Sequence, residues 1–395
     1  MPRATIENVM QSFFLIGSAF RDLFLQTFPR KGLGDGFAFL VHPRDLRDVY
    51  RKFPFLKVFP TVAVKWLLRH AWPVTVSRIS GVRLKTTGEP VPGWIVSTVW
   101  TPDMMMADRE GAKKHLIQAA RLAEARGARL IGLGGLTASL TNGGKVLLPH
   151  MQGSLTTGRV YTAKNVTDIA CDAMELLRMD TSAQISIVGA AGSIGSAVAQ
   201  LLAVRGFGNI ALIDVGKRDE HLNRLTRLLK TRLPKSHITT HHTLDILKKS
   251  DVIIAATNRA EALIRSEHVR PGTVIVDDAQ PSDVDIEVRE NRPDVLVLQG
   301  GVVHAPDIDV HFNIGLQHRE DIYSCLAEVI LLATAGHTGH HAVGEIFELD
   351  MHGVQVLSDL ADEYGFRRGE FQNSSKVCTV EEVDKVIAAR ERGVY

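Results

Sequence analysis

Residues 185–197 have the sequence ISIVGAAGSIGSA, and this stretch decides the fold of the chain. The run from Ile185 to Val188 is typical of a short buried strand. Three glycines follow at a spacing of three, and a helical pattern begins among them. Glycine lets the backbone turn tightly and approach a pyrophosphate, and the N-terminus of the next helix offers free N–H groups. The stretch therefore predicts the phosphate-binding turn of a Rossmann-type dinucleotide site.

The turn supplies most of the predicted cofactor-binding residues, which are Gly189, Ala191, Gly192, Ser193, Ile194 and Gly195. At the end of the next predicted strand, Asp214 suits a ribose hydroxyl and so favours NADH. Lys217 and Arg218 suit a 2′-phosphate and so favour NADPH. Spacing alone leaves both cofactors open. Thr257, at the end of a later strand, is expected to line the same crevice at the carboxyl edge of the sheet.

Short apolar strands separated by helical crossovers recur along the rest of the chain. They predict an α/β protein in which a Rossmann-type, doubly wound parallel sheet is joined by an N-terminal α/β substrate domain and C-terminal helices. The expected divisions are an apolar, amphipathic extension (1–35), the substrate domain (36–165), the NAD(P)-binding domain (166–315), C-terminal helices with a candidate nucleophile (316–366) and a polar tail (367–395). We expect weak order, if any, in the tail.

The composition is that of a globular protein of two or three domains, with 395 residues, 45% of them hydrophobic and 23% charged. A formal net charge of +2 with interspersed signs gives no reason to expect nucleic acid as a partner. Three distant cysteines form no disulfide framework, which favours a reducing, cytoplasmic location. We expect neither a signal peptide nor a spanning helix, because no apolar run is long enough.

An apolar segment from Val9 to Phe28 contains five phenylalanines and few charges. It is expected to form a helix that packs on the body of the protein. The alternative is an amphipathic helix that lies along a membrane surface, which would make the protein peripheral to the membrane.

Cys325 lies on the apolar face of a helix predicted from His318 to Ala335, in about its second turn. Spacing alone favours a small buried hydrophobe, because free cysteine is among the most buried residue types. The alternative is a nucleophile, since a thiolate attacks thioesters readily. Such a thiol needs an activating group, and His304 and His311 precede the helix.

The order of motifs resembles the aldehyde-forming long-chain acyl-[acyl-carrier-protein] reductases. The resemblance covers about residues 36–370 and lies in the collinear order of the motifs. The motifs, in order, are LGGL (133–136), TTG (156–158) with YTA (161–163), GAAGSIGSA (189–197), VDDAQP (276–281), GGVVH (300–304), DID (307–309), CLAE (325–328) and YGFR (364–367).

This resemblance implies that Cys325 accepts the acyl group of a fatty acyl thioester, carried by acyl carrier protein or coenzyme A. Hydride from NADPH, or from NADH, would then release a fatty aldehyde. His304 is expected to hydrogen-bond the acyl carbonyl or to carry a proton.

The same resemblance makes the first domain the acyl-binding domain. Its apolar stretch between residues 53 and 72 suits a lipid slot or a plain core. Ser139, Thr157 and Gly158 are expected to hold the head of the substrate.

The chain departs from the family pattern in three places. The extension before Gly36 and the tail after Arg367 lie outside the family core, and Asp214 stands where an uncharged residue is expected. Asp277-Asp-Ala279 stands where the pattern has Asp-Gly-Gly. The histidines between 337 and 341 have one carboxylate at helical spacing and no cysteine nearby, so we expect no metal site.

Two other function classes are compatible with the residues. One is an NAD(P)-dependent alcohol dehydrogenase similar to shikimate or quinate dehydrogenases, which needs no nucleophilic cysteine. The other is a non-catalytic protein that keeps the fold in order to bind NAD(P).

Overall fold

The computed structural model describes residues 17–28, 33–216, 218–259, 261–344, 348–373 and 375–393. The chain divides into two compact units, and both are assembled from separated parts of the sequence. Unit 1 comprises Met1–Gly158, Asp307–Ile314 and Cys325–Gly344, and unit 2 comprises Arg159–Pro306, Gly315–Ser324 and Glu345–Tyr395. This division differs from the expected one, because residues 325–344 join the first unit instead of a separate C-terminal region.

The helices are α1 (17–27), α2 (Leu46–Lys52), α3 (Thr61–His70), α4 (Pro102–Ala107), α5 (Arg109–Ala125), α6 (Leu136–Leu140), α7 (Arg159–Leu176), α8 (Ser193–Val204), α9 (Asp219–Arg232), α10 (Ile286–Asn291), α11 (Ser324–Thr334), α12 (Met351–Glu363) and α13 (Val380–Gly393). The strands are β1 (Gly36–Val41), β2 (Val74–Ile79), β3 (Gly93–Ser97), β4 (Ala128–Leu133), β5 (Ser154–Thr156), β6 (Ile185–Val188), β7 (Asn209–Ile213), β8 (His237–His241), β9 (Val252–Ala255), β10 (Val274–Asp277), β11 (Leu296–Gln299), β12 (Val302–His304), β13 (Asp321–Tyr323) and β14 (Arg367–Arg368).

Unit 1 is built on a five-stranded sheet in the order β2-β3-β1-β4-β5. Its strands are parallel except for β2, which runs antiparallel to β3. The strands are short apolar runs, and Leu40, Ile131 and Leu155 lie in one buried core beneath them. α11 packs directly on β4 at Gly132, where a Cβ would lie only 2.8 Å from the Cβ of Val329. The glycine thus makes room for the helix.

The Asp22 carboxylate anchors α1 to this unit although it is fully buried. It accepts hydrogen bonds from the backbone N–H of Thr75 at 2.7 Å and from Nε of Arg126 at 3.0 Å. A buried charge is tolerated only when it is paired and hydrogen-bonded in this way. The described part of α1 is therefore packed on the unit along this side, and residues 9–16 of the predicted helix lie outside the described residues.

Unit 2 contains six parallel strands in the order β11-β10-β9-β6-β7-β8. The order reverses between β6 and β9, which is the switch point of a doubly wound Rossmann sheet. The predicted fold class is confirmed. The carboxyl ends of these two strands therefore open the crevice in which such sheets bind ligands.

Two local expectations are wrong. Residues 321–323, predicted as helix, form β13 because they pair antiparallel with β12, so that α11 begins at Ser324 and Cys325 lies in its first turn. The tail forms α13 because Val383, Val386 and Ala389 recur at three-residue spacing and are buried. Arg390 on this helix pairs with Asp251 at 2.7 Å. Among the described residues, no helix is long and apolar enough to cross a membrane.

Candidate functional site

At the glycine turn between β6 and α8, the backbone packs too closely to leave room for side chains. Gly189 has a φ of +86°, and a Cβ there would lie 2.6 Å from the carbonyl oxygen of Ala256. A Cβ at Gly195 would lie 2.5 Å from the carbonyl oxygen of Gly189. Neither position accepts another residue without distortion.

The donors at this turn are the N–H groups that open α8. Gly192 caps the helix without any side-chain hydrogen bond, so that the first-turn N–H groups of Ser193, Ile194 and Gly195 have no partner within the helix. Ser193 is exposed, and Ala191 and Ile194 are half-buried. These residues fit a dinucleotide pyrophosphate, whose oxygens would accept hydrogen bonds from the N–H groups at the positive end of the helix dipole.

Asp214, at the end of β7, is buried and already engaged. One carboxylate oxygen accepts the N–H of Gly216 at 2.7 Å, and the other accepts Nε of Arg218 at 2.8 Å. The Arg218 side chain is itself 49% exposed. The carboxylate therefore fixes the loop and orients a solvent-facing guanidinium, and Lys217 lies outside the described residues.

Thr257, after β9, borders the glycine turn, since a Cβ at Gly189 would lie 3.2 Å from its Cγ2. The Asp283 carboxylate holds Thr257 in place by accepting hydrogen bonds from its N–H at 3.0 Å and from its hydroxyl at 2.5 Å. Thr257 thus lies where the sequence predicted it, at the carboxyl edge of the sheet. Asp283, which holds it there, was not predicted.

Three carboxyl groups meet at the end of β10. Burial raises the pKa of Asp277 to about 6, against the hydrogen bond from Ser282, and the charge of Asp283 adds to the rise. Burial and the charges of its two neighbours hold the pKa of Asp278 well above its ordinary value. Asp278 lies against the glycines after β11, and a Cβ at Gly301 would lie 2.5 Å from its Oδ1. The departure noted in the sequence therefore places an extra acid at this edge.

Cys325 in unit 1 lies in the first turn of α11, is half-buried and forms no disulfide. Gly158 packs against it with a φ of +73°, so that a Cβ at Gly158 would lie 2.4 Å from the Cys325 Cβ. The sequence predicted these two residues for one site, and the structure brings them together. It also places the thiol nearer the helix N-terminus than expected, where the dipole favours an anion more strongly.

Glu328 follows Cys325 by three residues and is fully buried. Its Oε1 accepts a hydrogen bond from the Thr156 hydroxyl and lies 3.1 Å from Nδ1 of His341. The Thr157 hydroxyl donates to the carbonyl of Ala342 at 2.8 Å. This bond, together with the contacts of Thr156 and His341 with Glu328, connects the end of β5 to the segment after α11 at two points. These contacts form a polar cluster, Thr156–Glu328–His341, whose Glu328 lies three residues after Cys325 on α11.

Sequence reasoning missed this cluster. A signal was present, because Glu328 interrupts an apolar helical face one turn after Cys325, and a carboxylate in such a position needs a buried partner. Sequence reasoning considers His341 only as a metal ligand and expects no metal site there. No group of His, Cys, Asp and Glu with metal-binding geometry occurs among the described residues.

Three further residues predicted for the site, His304, His311 and Ser139, contact polar groups other than Cys325 and the Thr156–Glu328–His341 cluster. His304 in unit 2 lies 3.5 Å from Asp321 and 3.6 Å from Glu320. His311 shares a 2.8 Å hydrogen bond with the Ser80 hydroxyl. The Ser139 hydroxyl donates to the carbonyl of Leu136 in its own helix at 3.1 Å.

The apolar stretch between residues 53 and 72 is only partly buried. Leu56, Val64 and Leu68 are buried, whereas Val58 and Val62 are each 81% exposed. The apolar surface is therefore divided between the core and the outside of unit 1.

Comparison with known proteins places the glycine turn within a recognised domain type. Residues 173–297, about a third of the chain, match the model of the shikimate / quinate 5-dehydrogenase family. This part of unit 2 has the Rossmann fold of NAD(P)-dependent oxidoreductases. The site described above fits that cofactor class.

Two curated proteins align with most of the chain. Aminotransferase PigE of Serratia sp. (strain ATCC 39006) is 27% identical over 287 residues, which are 71% of this chain and 33% of that protein. The long-chain acyl-[acyl-carrier-protein] reductase of Synechococcus elongatus (strain ATCC 33912 / PCC 7942 / FACHB-805) is 24% identical over 300 residues, 71% of this chain and 84% of that protein. The chain spans only a third of the length of the aminotransferase, whose activity is not carried over.

Two solved dehydrogenases are similar over 83% of this chain. Shikimate 5-dehydrogenase from Thermus thermophilus, in complex with NADP(H) and shikimate, is 12% identical over 98% of its chain, with a TM-score of 0.34. Quinate dehydrogenase from Corynebacterium glutamicum, in complex with NAD, is 11% identical over 99% of its chain, with a TM-score of 0.36. At these scores the likeness supports no inference about substrate.

The contact of Gly158 with Cys325 generates a first prediction. Gly158→Ala adds left-handed backbone strain and a methyl group that overlaps Cys325. Gly88→Ala is the matched control, because Gly88 has a φ of +72° but no neighbour within 4 Å. We expect Gly158→Ala to lower the free energy of unfolding, measured in urea, by about 1–3 kcal/mol more than the control. Equal losses in the two variants would contradict the contact.

The acidic cluster generates a second prediction. A carboxyl group whose pKa is raised in the folded state binds more protons there than in the unfolded chain, so stability falls as pH rises from about 4 through the raised pKa. Asp278→Asn should match the wild type near pH 4 and become progressively more stable than the wild type as the pH rises, in urea unfolding at each pH. Exposed Glu290→Gln serves as the control. A wild type that gains stability over this range, with no difference from Asp278→Asn, would exclude the effect.

Proposed function

We propose that the protein reduces a long-chain fatty acyl thioester to a fatty aldehyde through an acyl group held on Cys325. The observation that carries the proposal is the position of Cys325 in the first turn of α11, against Gly158 and one turn from the Glu328–His341 pair. The motif order and the 24% identity to a long-chain acyl-[acyl-carrier-protein] reductase support the same chemistry.

Cys325 has two tasks in this mechanism, which are to attack the substrate and to hold the acyl group. Its thiolate attacks the thioester carbonyl, so that a new carbon–sulfur bond forms while the bond to the carrier sulfur breaks. The carrier thiolate then leaves and takes up a proton. A helix N-terminus favours the attacking thiolate, because its free N–H groups and dipole stabilise negative charge.

Glu328 and His341 are assigned as positioning residues for the thiol. The Glu328 carboxylate beside Nδ1 of His341 fixes the orientation of the ring and favours its charged form, and that charge in turn favours the Cys325 thiolate. Thr156 donates to the same oxygen and keeps the carboxylate in place. His304 stays a prediction as a group that binds the acyl carbonyl or carries a proton, as Ser139 and Thr157 do for the substrate head.

The glycine turn and the start of α8 would hold NADPH, which supplies the hydride when it is bound. Preference for NADPH over NADH is inferred from the loop after β7. Asp214 accepts from Gly216 and Arg218 with its two oxygens, so it is poorly placed to accept a ribose hydroxyl, while Arg218 points its charge outward. The thioester substrate is carried by acyl carrier protein or by coenzyme A, since the proposed chemistry at the thioester is the same for both.

The decisive experiment is to trap the acyl group. The protein is incubated with a long-chain acyl thioester without reduced nicotinamide, and its intact mass is measured. We expect one acyl adduct in the wild type and in Cys171→Ala, the matched cysteine control, and none in Cys325→Ala. Adding NADPH should remove the adduct and release aldehyde. An adduct that persists in Cys325→Ala would refute the role of this cysteine.

The role of Glu328 is tested by the pH dependence of Cys325 alkylation by iodoacetamide, followed by peptide mass spectrometry. Glu328→Gln removes the charge that favours protonated His341, so alkylation should need a higher pH. Exposed Glu89→Gln should leave the profile unchanged. A Glu328→Gln variant that loses stability but keeps the wild-type pH profile has lost a purely structural group.

Cofactor preference follows from Arg218. Arg218→Ala should raise KM for NADPH about tenfold or more while leaving KM for NADH nearly unchanged, because only NADPH has a 2′-phosphate to lose its partner. Lys230→Ala, an exposed cation on α9, should change neither value. Steady-state kinetics with both cofactors measure this, and equal losses for both would contradict the assignment.

The second candidate is an alcohol dehydrogenase, which the match of residues 173–297 to the shikimate / quinate 5-dehydrogenase family favours. Such an enzyme would form no acyl adduct and would oxidise a hydroxy acid with NADP or NAD at the same rate in wild type and Cys325→Ala. Absence of both adduct and turnover would leave a binding protein.

A further inference from the structure

Exposed apolar side chains are concentrated in one part of unit 1. Nine of the 15 strongly exposed large apolar residues in the described chain lie between positions 20 and 67. Isolated exposed apolar residues need no explanation, but a concentration of them marks an interaction surface.

α3 and the 3-10 turn before it, Pro54–Val58, carry much of this surface. Val64 and Leu68 face the core of the unit, as an amphipathic helix requires. The opposite side is also apolar, and Val62 and Trp66 are 81% and 62% exposed. A surface helix ordinarily presents polar residues to water on that side.

α1 extends the apolar surface. Phe20, Phe24 and Phe28 are each between 59% and 63% exposed. The Phe20 ring lies 5.8 Å from that of Trp72, and the Trp72 indole donates to the carbonyl of Ala19 at 2.7 Å. The helix therefore lies beside the chain that leaves α3. We call the outward side chains of α1 and of residues 54–70 the apolar patch.

The charges within the patch are of one sign. Residues 54–70 contain Lys57, Lys65 and Arg69 and no acid. The acid of the described part of α1, Asp22, is buried against Arg126. Outside these segments, Asp103 on α4 pairs with Lys65 at 2.6 Å.

We propose that the apolar patch binds the surface of an anionic lipid bilayer. Aromatic and aliphatic side chains enter the boundary between headgroups and acyl chains, and lysine and arginine extend their charges to the lipid phosphates. A second copy of the chain fits less well, because the cations of two patches would face each other. An acidic carrier protein matches the charges of the patch, but a polar partner would leave part of its apolar surface uncovered.

The proposal stands apart from the proposed function, since it uses none of the residues assigned to acyl transfer or to the cofactor. The two are compatible, because a membrane would accept a long-chain product that water does not dissolve.

Co-sedimentation with vesicles tests the proposal on the full chain. The wild type should sediment with vesicles of phosphatidylcholine and phosphatidylglycerol, bind phosphatidylcholine alone more weakly, and dissociate partly at high salt. Val62→Ser/Trp66→Ser should weaken binding at least about tenfold, because two outward apolar side chains are lost. Val380→Ser/Ile286→Ser, which changes two exposed apolar residues of unit 2, should bind as the wild type does.

Circular dichroism and urea unfolding establish that both double variants are folded. A wild type that binds neither vesicle overturns the proposal, as does equal weakening in the two double variants. If Val62→Ser/Trp66→Ser instead dissociates a dimer in analytical ultracentrifugation, without vesicle binding by the wild type, the patch is a contact between copies. Binding of an acyl carrier protein through the patch, in place of vesicles, overturns it equally.

Discussion

The buried carboxylate of Glu328 is the constraint on which the arrangement of unit 1 depends. A fully buried charge is stable only when its partners are in place, and these partners come from β5 and from the segment after α11. Glu328 thereby holds three separate parts of the chain in one arrangement. The position of Cys325 follows from this, because the same helix carries both residues and Gly158 leaves no room for displacement.

In unit 2 the corresponding constraint is the backbone of a turn. Gly189 and Gly195 allow β6, α8 and the end of β9 to approach more closely than any side chain would permit. Acidic side chains then complete the edge in two different ways. Asp214 and Asp283 are satisfied by hydrogen-bond donors and fix loops, whereas Asp278 is held against glycines with its pKa raised by burial.

Features encoded within a dozen residues can be predicted from the sequence, and features formed by distant partners cannot. The glycine turn is recognisable because its strand, glycines and helix are contiguous. β13 has the local pattern of a helix, but its pairing partner, β12, decides its conformation. The contact of Thr156 with Glu328 joins residues 172 positions apart, and no local sequence pattern predicts that they are partners. Periodicity identifies which residues of α3 face inward, but it is silent about what covers the others.

The division of unit 1 into three sequence segments has a consequence for its synthesis. β4 is made early, but the helix that packs over Gly132 follows only after all six strands of the Rossmann sheet have been made. At ribosomal rates of about 5–20 residues per second, the wait from Gly158 to Gly344 is roughly 10–40 s. During that interval the nascent sheet lacks α11, and unit 2 also waits for its segment after Gly344. Both units therefore complete their contacts only as residues 325–395 are made.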